Sequence, residues 1–168
     1  MQQPPLLPEE ALNRLLRVAR MNGTSVLFAS GFFALLAALG GDVTGAIAGL
    51  VVAGAGAMEL HGGTLLAHGV GRGLRWLVWS QLVCLAGILV YCLVRLRVPY
   101  MPPLPAWAQE VMTQRAHEVG LTIDQVMTDA YTSSIMLLAA LSTIYQGSMA
   151  IYYARRRKPV RRALDAHQ

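Results

Sequence analysis

Uncharged apolar runs restrict this chain to very few folds. Residues 23–40, 43–58, 76–94 and 130–154 contain no Asp, Glu, Lys or Arg. A hydrocarbon layer about 30 Å thick takes roughly 20 apolar residues to cross as a helix, and only helices and closed barrels satisfy their own backbone in lipid. With 55% hydrophobic and 14% charged residues over 168 positions, the chain is too apolar and too short for a large soluble domain beside its membrane segments. The expected fold is an all-α integral membrane protein, a four-transmembrane-helix bundle forming one domain over 1–168.

The connecting segments set the expected boundaries. Leu12, Leu15, Leu16 and Ala19 recur at helical spacing with Arg14, Arg17 and Arg20 between them, so 1–22 reads as a basic amphipathic entry helix. Spans are expected at about 23–40, 43–71, 74–94 and 123–154. The first follows a charged start containing Glu9 and Glu10 and reads as an uncleaved span, not a signal peptide. Gly40-Gly41-Asp42 makes a turn. Trp76, Trp79 and Tyr91 sit near the ends of the third span like interface anchors.

The 95–122 segment is proline-rich and charged, with a short helix from about Pro105 grouping Trp107, Val111 and Met112 and closing at Gly120. Thr122 with Gln125 three residues on marks the start of the last helix. That helix runs about 33 residues, from Ile123 to Arg155, and a basic tail follows over 155–168. Eleven Lys and Arg flank one side of the four spans and three lie in the 95–128 segment, which puts both termini in the cytoplasm and 95–122 outside. Arg155, Arg156, Arg157 and Lys158 fix that topology and face lipid headgroups.

The second span differs from the others in being rich in Gly and Ala. Gly45, Gly49, Ala53 and Ala57 form one ladder of small residues, and Ala48, Ala55, Gly62 and Gly69 a second at seven-residue spacing. Helices in lipid gain little by burying apolar surface, so small residues that let backbones touch mark packing faces. Four helices leave little interior for such a span, which points to a homo-oligomer.

Glu59 interrupts that span, and an ionisable residue at membrane depth is a candidate functional site because it is costly to keep. It shares a face with Ala55 and Gly62, so its partners are expected on neighbouring helices: Ser80, Gln81, Ser142, Thr143 or Gln146. It is either a protonated Glu donating one interhelical hydrogen bond or a carboxylate in an ion or proton path. His61 and His68 point the other way, about 10 Å apart along the helix. They are too far apart to bind one metal from a single straight helix, because His–metal bonds are about 2 Å. The chain has no recognisable cofactor pattern, and a haem or metal would have to be shared between subunits through these two weak candidates.

Cys84 and Cys92 lie eight residues apart on one helix, beyond disulfide reach, and read as free thiols. No nucleophile and base stand together in sequence, so an enzyme is not expected. The basic residues lie at segment ends and cover no face, which speaks against nucleic acid as a partner. The leading expectation is an oligomeric ion or proton channel or transporter with a polar path through Glu59. The alternative is a non-conducting scaffold or partner-binding subunit, and the third is an intramembrane metal or haem binder. Expected partners are membrane lipids, further copies of the chain and a second membrane protein.

Overall fold

In the computed structural model, residues 8–99, 105–118 and 120–165 are described, and among them there are helices and turns but no strand. Six helices follow in order: α1 Pro8–Leu39, α2 Val43–Ala67, α3 Gly73–Arg97, α4 Ala106–Glu118, α5 Ile123–Arg155 and α6 Arg157–Asp165. Four of them, α1 from Glu9, α2, α3 and α5, are long and apolar enough to cross a membrane, with mean hydropathies of 1.6, 1.7, 2.2 and 1.4. Membrane location is thereby suggested for the chain.

The entry helix and the first span are one helix, not two. Residues 20–24 are helical without interruption, and Ala11, Leu15, Ala19 and Gly23, all buried, run along one face through the expected junction. A continuous i, i+4 row gives the chain no reason to break there.

The α1–α2 turn is built by its own residues. Gly41 adopts φ +74°, which an L side chain resists, and its neighbour Asp42 donates N–H to the Ala37 carbonyl at 2.8 Å. The Asp42 carboxylate then accepts from Gly45 N–H at 2.8 Å and caps α2. At the other end, α2 stops at Ala67, four residues short of the expected boundary. Gly69 there takes φ +78°, and Val70 N–H reaches the Leu65 carbonyl at 2.9 Å. Gly69 is therefore a turn glycine with nothing near the place its Cβ would occupy, and it does not belong to the packing seam.

The chain divides into two compact units. One holds everything up to Ile88 together with Ser142 onward. In it the backbones of α1 and α2 nearly touch: a methyl group on Gly56 would lie 2.7 Å from Leu27 N and 2.9 Å from Gly23 O, and one on Gly49 would lie 2.9 Å from Ala34 N. The first ladder thus faces α1 through Gly45, Gly49 and Gly56, while Ala57 is exposed and Gly56 takes its place. Gly62 of the second ladder faces α3: a methyl group on it would lie 2.9 Å from Trp76 Cβ and 3.0 Å from Gly73 O. Both small faces of α2 are therefore used within one chain.

Near the charged end of this unit, Leu15, Ala19, Leu66, Leu74, Leu77, Tyr153, Val160 and Leu164 form a buried apolar cluster. The basic tail is not extended: α6 packs Val160 and Leu164 into that cluster while Lys158, Arg161 and Arg162 stay exposed. Arg155 and Arg157 are exposed as well, and Arg156 lies 5.4 Å over the Tyr152 ring.

The other unit is Leu89–Leu141. Gly120 at φ +68° follows α4, and α5 opens with a reciprocal cap in which Gln125 N–H donates to Thr122 Oγ1 at 3.3 Å and Thr122 N–H to Gln125 Oε1 at 3.0 Å. Cys92, Ala116 and Ile135 are buried here, and Arg95 lies 5.1 Å over the Tyr91 ring. The grouping of Trp107 with Val111 and Met112 falls outside the described residues, since the Trp107 side chain is not among them.

Candidate functional site

The first unit exposes large apolar side chains and, beside its apolar cluster, buries several polar ones. Large apolar side chains such as Phe28, Phe32, Leu39, Ile47, Trp79 and Ile144 are exposed, while Glu59, Ser80, Gln81 and Gln146 are buried beside small residues. Buried polar groups must be satisfied by one another, because each one left unmatched is costly. Glu59, 1% exposed, is the centre of that arrangement.

Two donors from two other helices meet its carboxyl group. Asn22 Nδ2 of α1 donates to Oε2 at 2.7 Å, and the hydroxyl of Tyr153 on α5, itself fully buried, donates to Oε1 in a short hydrogen bond. Tyr145, two turns before Tyr153 on α5, donates its hydroxyl to Asn22 Oδ1 at 2.7 Å. That bond fixes the orientation of the amide, since Oδ1 must accept and Nδ2 must donate. The connected set Tyr145, Asn22, Glu59 and Tyr153 therefore ties α1, α2 and α5 at one point. Both Glu59 oxygens act as acceptors.

The helices bring these groups together for local reasons. Asn22 stands one residue before Gly23, on the face of α1 that carries Ala19 and touches α2. Glu59 stands three residues after Gly56, so the closest backbone approach of the two helices brings the amide and the carboxyl group into reach. Tyr153 belongs to the apolar cluster and turns its one polar atom to Glu59.

The other expected partners go elsewhere. Gln146 Nε2 donates to Cys84 Sγ at 3.2 Å, Ser80 Oγ donates to the Leu77 carbonyl of its own helix at 2.9 Å, Ser142 is half-buried and Thr143 exposed. Gln81 Oε1 and Gln146 Oε1 are buried without a hydrogen-bond partner, places where an ordered water fits the chemistry. Cys84 and Cys92 are both free and buried.

Neither histidine joins the Glu59 set. His61 is exposed, its ring edge-on to Trp76 with centroids 5.3 Å apart. His68 lies past the end of α2, where Nδ1–H donates to the Thr64 carbonyl at 2.8 Å. Among the described residues no group of three or more His, Cys, Asp or Glu is placed to hold a metal ion.

Asn22, Tyr145 and Tyr153 are the site residues the sequence reading missed. The buried row Ala11, Leu15, Ala19, Gly23 was a signal for Asn22, because it shows which face of α1 turns inward at that level. Comparison with known proteins adds no relative: no family model, curated protein or solved structure matches this chain.

Proposed function

We propose that this chain is a four-span integral membrane protein that serves as a non-conducting scaffold, with Glu59 as the polar lock of its bundle. The observation that carries this reading is the closure of the lock: a 1% exposed carboxyl group whose two oxygens are taken by Asn22 and Tyr153. A residue lining a wet path faces water, whereas this carboxyl group is buried and both its oxygens already accept from neutral side chains. The apolar exterior supports insertion, since exposed Phe and Leu along helices of this length suit lipid better than water. The eleven-to-three distribution of Lys and Arg supports cytoplasmic termini, which tags on the two ends would report.

A scaffold needs a surface for its partner, and α5 offers one. This helix is the least covered of the four long ones, and between Ala130 and Ala140 it exposes Ala130, Ser133, Leu137 and Ala140 within one 80° sector. Small residues on both sides of Leu137 let a second helix pack around that side chain in lipid. The partner we assign to it is a second copy of the chain, docked through α5. With both native thiols buried, Ala140→Cys introduces one accessible thiol, which is expected to give a disulfide-linked dimer in membranes under mild oxidation. Leu138→Cys, about 160° away on the same helix, is expected to stay monomeric. Equal dimer yield from both positions would show collision without a defined interface and remove α5 as the docking face.

A further inference from the structure

A groove of about 490 Å³ lies between α1 and α2 in the first unit, and none of its lining residues belongs to the Glu59 lock. Leu16, Met21, Leu60 and Gly63 give it an apolar floor. Arg17 and Arg20 stand on one wall and His68 on the other. Both arginines are exposed, and among the described residues neither is paired with a carboxylate. The groove therefore combines an unneutralised double positive charge with a slot for hydrocarbon.

Its depth along the helix matches that composition. Arg20 lies 19 residues before the end of α1 at Leu39, about 28 Å at 1.5 Å per residue, which is close to the thickness of a hydrocarbon layer. If the Gly40–Asp42 turn stands at one face of the bilayer, the arginines stand at the headgroup level of the other. We infer that this groove binds one anionic phospholipid, its phosphate between Arg17, Arg20 and His68 and an acyl chain along Met21 and Leu60. A free phosphate would leave the apolar floor wet, so the lipid is the occupant the chemistry favours. The inference rests on the membrane reading proposed above, and it adds a specific site to the general attraction of basic tails for anionic lipid.

The test uses the full chain reconstituted in nanodiscs of equimolar phosphatidylglycerol and phosphatidylcholine, then released and weighed by native mass spectrometry. The wild type is expected to keep one phosphatidylglycerol in preference to phosphatidylcholine. Arg17→Gln with Arg20→Gln is expected to lower that retention roughly tenfold or more. Gly63→Leu, which fills the floor and keeps both charges, is expected to lower it too. Equal retention of the two lipids, or full phosphatidylglycerol retention in the double variant, would overturn the site. Millimolar inorganic phosphate is expected not to displace the lipid, and displacement would show that the groove recognises the anion alone, contrary to the inference. Failure of the protein to enter nanodiscs at all would overturn the membrane reading together with the groove, and is distinguishable because no lipid-embedded protein would be recovered.

Discussion

Glu59→Leu is expected to lower the stability of the folded protein by about 2–5 kcal/mol. The substitution keeps an apolar side chain of similar size on α2 but removes both acceptors, leaving Asn22 Nδ2 and Tyr153 Oη facing hydrocarbon. A buried donor stranded in this way costs about 1–3 kcal/mol, and here there are two. Thermal unfolding in detergent, followed by intrinsic fluorescence, should show a clear drop in Tm. Glu59→Gln is expected to lose only about 1 kcal/mol, since its carbonyl still accepts and the Tyr153 hydroxyl can turn to accept from the new amide. Equal stability of Glu59→Leu and wild type would mean that the network holds nothing together.

The second large effect is expected at the closest approach of α1 and α2. Gly56→Leu must place its Cβ 2.7 Å from the backbone nitrogen of Leu27, and no side-chain rotation can relieve a clash with main chain. Overpacking of this kind costs about 1–3 kcal/mol and more when helices must separate. Separation here would also pull Asn22 away from Glu59, so the two losses are coupled. Gly54→Ala is the control: nothing lies within 4 Å of the added methyl group, and Ala in a helix interior is favoured over Gly by about 1 kcal/mol. Loss of folded protein in Gly56→Leu with Gly54→Ala unharmed is the predicted pattern, and equal behaviour of the two would contradict the close approach.

The helical plan was legible because long apolar runs, Gly turns and the Thr122–Gln125 cap act locally, and each left its mark within a few residues. The start and end of α5 at Ile123 and Arg155 follow from such local signals. The merging of the entry helix with the first span was hidden by a change of composition at residue 22 that does not interrupt the helix. Glu59 stood out as a charge in an apolar run, but its partners did not, because periodicity orders residues around one helix and says nothing about which helix lies beside it. Asn22 is 37 residues away and Tyr153 is 94. Tyr153 was further masked by its place next to the arginines, where an aromatic residue reads as an interface anchor. The expectation of an oligomer from the small ladders of α2 overlooked that α1 and α3 of the same chain can occupy both faces, as Gly49, Gly56 and Gly62 show. The proposed assembly uses the exposed face of α5 instead.

The central claim is that Glu59 locks the bundle and conducts nothing. It is tested most directly by ion flux into liposomes holding the purified full chain, with protons, sodium, potassium and calcium offered in turn under an imposed potential. The predicted result is flux no greater than that of protein-free liposomes for every ion, in the wild type and in Glu59→Gln alike. A flux carried by the wild type and reduced in a folded, equally assembled Glu59→Gln would contradict the account and place Glu59 in a permeation path.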